Sequence, residues 1–404
     1  MKTTLLSLKA FFTICLLCLV GGVSASAQNT YTKVTSEDQL VAGGIYVIVN
    51  ENYKVAMSWQ DNNNRKAISI EFNNNSITLA DADIANAETD KTVYELQLGG
   101  ETGKWTFYDK INNGYLFAPG TTKKGGQPYN YLKTQKTVDA KSQAKISFDA
   151  KGNSSIVFSA QNANTLRFND NNHSTSTDPE KNQQLFSCYK SGQDPVQLYR
   201  KVGTFPLTTA QYGTYYTEDA FVMPEGVTGY TITSEDGKTL NFNEAYAAGA
   251  VVPAKTALLL KATEKLTADK VYTYTIVNST EVAPTGNLLH GSVAEATTSV
   301  EGAKAYYKLA NDEVDHLGFY YGAENGGEFK NGAHKAYLAV MTENLSQKRG
   351  FSFDSMTTGI NHVAANAEHA KTTVIYDLNG RRVNSLNAAA KGVYIVNGKK
   401  VIVK

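Results

Sequence analysis

A strand, a polar turn rich in Asn and a second strand occur three times in the first half of this chain. GIYVIVNENYKVAMS begins at Gly44, GKWTFYDKINNGYLFAP at Gly103 and SSIVFSAQNANTLRFND at Ser154. The first-strand anchors Ile45, Trp105 and Ile156 precede Val55, Leu116 and Leu166 by about ten residues. A lone hairpin cannot bury its apolar face, but three copies around an axis close a barrel and leave few open edges. The expected closing strand is PVQLYRKV, residues 195–202. Ile45, Trp105 and Ile156 are expected to occupy equivalent inward positions.

The rest of the chain has the same grain. Tyr, Thr, Val and Phe are plentiful, and Asn and Gly punctuate the sequence at the spacing of sandwiches and barrels. Long stretches of helical period are missing, and the best short candidate is 81–88. The reading is all-β: a β-trefoil-like barrel over 28–202, an antiparallel β-sandwich over 203–357, a polar linker over 358–371 and a short β-hairpin tail over 372–404. The threefold pattern resembles a β-trefoil, the fold of ricin-type lectins and many sugar-binding modules. The lectin signature Gln-x-Trp is missing from every repeat, and a jelly-roll sandwich is the alternative.

Residues 1–27 read as a secretory signal peptide. Lys2 and Lys9 give the basic start, residues 10–20 are almost wholly apolar, and Ala25-Ser26-Ala27 places the cut before Gln28. The apolar run is too short for a membrane anchor. Cys15 and Cys18 leave with the signal, so Cys188 alone remains and no internal disulfide can form. Without Lys2 and Lys9 the 39 basic and 38 acidic residues become 37 and 38. That balance argues against a nucleic-acid surface.

The last thirty or so residues contain VIYDLNGRRV from Val374 and KGVYIVNGKKVIVK ending at Lys404. They read as three short strands, 374–377, 393–396 and 399–403, with Asn397-Gly398 as a type I′ hairpin turn. This stretch resembles the C-terminal sorting domain of proteins exported by the type IX secretion system of Gram-negative bacteria. The Pro-Asn-Pro segment that opens the fuller domain does not precede Val374. The resemblance implies export, with the secretion machinery as partner of the tail. YGTYYTEDAFVMPEGV, VVPAKTALLLKA and GFYYGAENGGEFKNGAHKAYLAV in the second segment resemble a module that recurs in secreted proteins with such tails, often beside glycan-degrading or peptidase domains. That resemblance implies architecture and context, and no activity.

Catalytic signatures are sparse. GxSxG, HExxH and a P-loop do not occur, and the six histidines lack metal-ligand spacing. Glu313 and Asp315-His316 sit together without an evident partner, and His334 reads as a strand-edge residue. No cofactor or metal is called for. A pair of glycosidase carboxylates, which meet only in the fold, stays open. Glycan chemistry needs acids that accept hydroxyl hydrogen bonds beside aromatic faces. Three Asn-rich segments offer that: Trp59 with Asp61 after the first repeat, Tyr129 and Tyr131 in GGQPYNY of the second, and Asp170 after the third. These five are the candidate ligand-binding residues, and their alternative reading is plain turn chemistry. The leading function is a secreted, surface-displayed, non-catalytic protein that binds polysaccharide or a host or cell-surface glycan. An adhesive or structural role is second, and a glycan-degrading hydrolase third.

Overall fold

The structure is a computed structural model that describes residues 28–170, 184–190, 192–312 and 316–353, and the strand residues 375–377, 382–383, 392–396 and 399–403. The expected signal peptide, 1–27, and the expected linker, 358–371, lie outside the described residues, as do Glu313, Asp315 and residues 171–183. The chain is all-β, built from antiparallel sheets. It divides into two compact units, residues 1–309 with 321–349 and residues 310–320 with 350–404.

The first half of unit one contains β1 (Gln28–Lys33), β2 (Ile45–Asn50), β3 (Val55–Asp61), β4 (Asn64–Ser69), β5 (Ser76–Ala80), β6 (Leu96–Gly99) and β7 (Thr106–Asp109). It continues with β8 (Gly114–Phe117), β9 (Lys133–Gln135), β10 (Ala144–Phe148), β11 (Ser154–Phe158), β12 (Thr165–Asn169), β13 (Leu185–Tyr189) and β14 (Gln197–Leu207). Six of these segments pair in a ring. β2 pairs with β6, β6 with β7, β10 with β11, and β14 returns to β2. Trp105 bridges Ala144 and Ser154 bridges Val196, which completes the circuit. β3–β4, β8–β9 and β12–β13 extend from the ring as three hairpins.

The register repeats with the lobes. Tyr46↔Leu96, Trp105↔Ala144 and Ser154↔Val196 are equivalent pairs. So are Leu198↔Ile48, Leu98↔Phe107 and Ile146↔Ile156. Eleven of these twelve side chains, Ser154 excepted, belong to one apolar core that also takes Val55, Leu116 and Leu166. The strand period of two explains the pattern, since residues two apart share a face. It also corrects the expected anchors. Trp105 and Ile156 point into the core two steps apart, whereas Tyr46 holds the first-repeat place and Ile45 faces outward against Gln97. Each turn joining a ring strand to its hairpin holds one non-glycine residue at positive φ: Lys54, Asn113 and Asn162. Asn tolerates that region best.

The boundary drawn at 202/203 falls inside β14. This strand pairs with β1 and β2 in its first part, and from Val202 to Leu207 with β21 (Lys270–Val277). Beyond it lie β15 (Tyr212–Tyr215), β16 (Ala220–Val222), β17 (Val227–Thr233), β18 (Asn241–Tyr246), β19 (Val251–Val252) and β20 (Leu258–Ala262). The antiparallel sheet β15-β20-β17-β18 and the strands β14, β21, β16 and β19 share one core around Phe205, Phe221, Leu258 and Tyr274. Lys335–Val340 then pairs with Leu289–Ser292 and with Ala305–Asp312. Helix is confined to short turns. The 81–88 candidate is a single 3-10 turn, Asp81–Asp83, and the α-helix among the described residues is Glu343–Ser346.

In unit two Gly318, Phe319 and Tyr320 pair with Ser352, Phe351 and Gly350, and the rings of Phe319 and Phe353 meet edge to face. The tail strands order as Arg382–Val383, Ile375–Asp377, Gly392–Val396 and Lys399–Val403. Val396 pairs with Lys399, the register of a two-residue hairpin. No helix among the described residues is long and apolar enough to cross a membrane.

Candidate functional site

The five residues chosen from sequence lie at the hairpins. Trp59 and Asp61 belong to strand β3 rather than to a loop, because β3 and β4 run on to a tight turn at Asn62, where φ is 54°. The tip touches the second hairpin: the Leu132 N–H donates to Asn63 O at 2.9 Å, and Gln60 Nε2 donates to Leu132 O at 3.2 Å. Asp61 and Tyr131 are thus brought into neighbouring segments. Asp61 pairs with Lys66 Nζ at 2.8 Å. Tyr129 and Tyr131 stack with centroids 4.6 Å apart. Lys123 Nζ sits 5.4 Å from the Tyr129 ring, Lys133 Nζ 5.8 Å from Tyr131 and Lys91 Nζ 5.7 Å from Trp59. Asp170 accepts from Gln184 Nε2 at 3.1 Å and lies within hydrogen-bonding reach of the Tyr53 hydroxyl. Each of these three rings thus has a lysine ammonium near one of its faces.

A cavity lies elsewhere, on the outer face of the second lobe. It measures about 460 Å³ and is lined by Tyr108, Tyr115, Gln97, Gln143, Thr106 and Lys104 among others. Tyr108 on β7 and Tyr115 on β8 are directly opposite each other, with ring centroids 5.1 Å apart and planes tilted by 56°. Both rings are partly exposed. The Tyr108 hydroxyl donates to Asn113 Oδ1 at 2.9 Å, which fixes that ring. Gly99 opens the wall, since a Cβ there would lie 2.9 Å from Thr106 Oγ1. Gly100 has φ +86°, and a Cβ would fall 2.3 Å from Lys104 O, so only glycine turns the chain here. Two tilted aromatic faces, two amides and a hydroxyl in a concave, weakly charged cavity suit a neutral polyhydroxylated ligand.

A second cavity of about 270 Å³ lies where the ring meets β16 and β21. Its wall includes Gln97, Glu95, Lys201, Glu218, Asp219 and Lys110. Glu95 accepts from the Tyr31 hydroxyl at 2.6 Å and pairs with Lys201 Nζ at 2.9 Å. Asp219 is pushed above the usual carboxylate range by partial desolvation; Lys201 opposes the shift, while Glu95 and Glu218 add to it. Glu218 and Asp219 are consecutive and more than a third exposed.

Inside the ring Arg65 and Asp109 form an ion pair at 2.5 Å with both side chains fully buried. By register Arg65 takes the place that Leu132 and Phe186 hold in the other hairpins. Arg65 Nη2 also donates to Thr134 Oγ1, and the guanidinium lies over Tyr94. Burial lowers its pKa, against the pull of Asp109. Asp109 accepts in addition from the N–H groups of Ile111 and Asn112. Cys188 is free and fully buried, and burial pushes its thiol up, away from nucleophilic chemistry. Among the described residues no group of three or more His, Cys, Asp or Glu is placed to hold a metal.

Sequence reasoning missed Tyr108 and Tyr115 because each reads as an ordinary strand aromatic. The available signal was the repeat: their equivalents are Val49↔Ala56 and Val157↔Thr165. No protein-family model and no curated protein matches this chain.

Proposed function

We propose that this is a secreted, surface-displayed, non-catalytic protein that binds glycan through its N-terminal barrel, read as a β-trefoil. The observation that carries the reading is the Tyr108–Tyr115 pair set in an amide-lined cavity. Sugar CH groups pack on tilted ring faces, and Gln97, Gln143 and Thr106 supply donors and acceptors for hydroxyls. The ring of six strands with three hairpins supports the trefoil reading. The N-terminal segment and the type IX-like tail support export. The tail hairpin register fits a compact sorting signal, which we assign to recognition by the secretion machinery.

Adhesion through a broad apolar face finds less support. Among the described residues five large hydrophobics are more than a third exposed, Tyr53, Val138, Val271, Val282 and Val293, which is few for such a face. The acids of the smaller cavity are the nearest thing to a hydrolase site, and Glu95 there is already engaged by Tyr31 and Lys201. The test is retention of the purified chain on a panel of insoluble neutral polysaccharides, compared with Tyr115→Ala. Retention that the substitution lowers at least tenfold supports the reading. Failure to bind any polymer, or equal binding by the variant, overturns it and leaves adhesion ahead.

A further inference from the structure

The outer face of the ring carries a row of side chains that crosses five strands. Ile45 on β2 is opposite Gln97 on β6, Gln97 is opposite Tyr108 on β7, Tyr108 is opposite Tyr115 on β8, and Tyr115 is opposite Gln135 on β9. Directly opposed residues share a face. Four strand spacings of about 4.8 Å make the row roughly 19 Å long. The two cavities lie along it and meet at Gln97, which lines both. Asn278 Nδ2 donates to Gln97 Oε1 at 3.1 Å and holds that amide at the junction. At the far end Gln135 is held by Thr137 O and Asp139 Oδ1, both 2.8 Å from its Nε2.

We propose that the site takes a linear, unbranched oligosaccharide of at least three units, lying across the strands from the tyrosine cavity into the joint cavity. This rests on the reading of the tyrosine pair as a sugar platform. A sugar ring is comparable in length to one strand spacing, so successive units fall over successive members of the row. The tyrosines hold one or two units by stacking. Gln97 bridges to the next unit, whose hydroxyls meet Glu218 and Asp219 as acceptors and Lys110 as donor. The ligand is therefore read along its length, and a chain end is not required.

The experiment is calorimetric titration of the full chain with two ladders, cello-oligosaccharides and malto-oligosaccharides of two to six units. The inference expects affinity for one ladder to rise at least tenfold between dimer and tetramer and then level off. Glu218→Ala and Lys110→Ala, both at exposed positions, are expected to remove most of that gain while leaving dimer affinity within twofold. Tyr115→Ala is expected to weaken every length. A dimer that binds as tightly as the tetramer overturns the extended site and leaves the tyrosine platform standing. A length-dependent gain that both joint-cavity variants retain also overturns it, because the extra units then lie elsewhere. Absence of binding by every member of both ladders removes the platform reading as well.

Discussion

The first and second lobes of the ring present the same outer position to opposite ends. In lobe one the cross-strand pair is Val49 and Ala56, both fully buried in an apolar cluster with Tyr31, Ile77, Leu79 and Tyr199. The cover comes from β1 and β5, which pair with each other and lie beside β14. In lobe two the same pair is Tyr108 and Tyr115, partly exposed and lining the larger cavity. Inside the ring the lobes are near copies; outside, one is closed by β1 and β5 and the other is left open. A repeated hairpin can thus keep its inward residues for the shared core and vary its outward ones at low cost to folding.

Breaking the shared interior should have the largest effect. Asp109→Ala leaves the Arg65 guanidinium buried without its charge partner and is expected to cost about 3–5 kcal/mol. Chemical denaturation measures this directly. Arg65→Leu combined with Asp109→Asn, which copies Leu132 and Asn50 of the other lobes, is expected to cost less than that single change. An additive or larger loss would mean that the lobes are not interchangeable inside.

Giving lobe one the outer residue of lobe two comes next. Val49→Tyr forces a ring under a closed cover and is expected to destabilise by about 1–3 kcal/mol, read as a lower melting temperature. A neutral result would show that β1 and β5 yield easily.

Alkali should act on the same cover. Burial, and the carboxylates Glu95 and Glu51 that they face, raise Tyr31 and Tyr199 above the ordinary tyrosine value of 10.0. The unfolded chain therefore loses these protons first. Their contribution is fully present below pH 10 and is lost as pH climbs from 10 toward the raised values, by about 1.4 kcal/mol per pH unit for each tyrosine. Denaturation midpoints between pH 9 and about pH 11.5 check the sign; rising stability over that range would contradict the burial of these phenols.

Much of this was legible in the chain. The three hairpins, the closing run from Pro195 and the Val396–Lys399 strand pairing follow from period-two alternation and turn chemistry, which are local. What was hidden depends on register across strands. Placing Ile45 beside Trp105 misjudges one residue, and one residue reverses the face, so the Tyr108–Tyr115 pair could not stand out against Val49–Ala56. The continuity of β14 through position 203 was equally hidden, because its partner β21 lies some seventy residues away. Trp59, Asp61, Tyr129 and Tyr131 drew attention as exposed chemistry, and sequence does not disclose that Lys66, Lys91, Lys123 and Lys133 sit against them.

The smallest change in stability should accompany a large change in function. Tyr108→Val with Tyr115→Ala rebuilds lobe two's outer face in the manner of lobe one. Both rings are partly exposed, so the double variant is expected to stay within about 1 kcal/mol of the parent. Melting and polysaccharide retention measured on the same preparation test the central claim most directly. The account predicts an almost unchanged melting temperature and at least tenfold weaker retention; an intact fold that still binds as the parent does would contradict it.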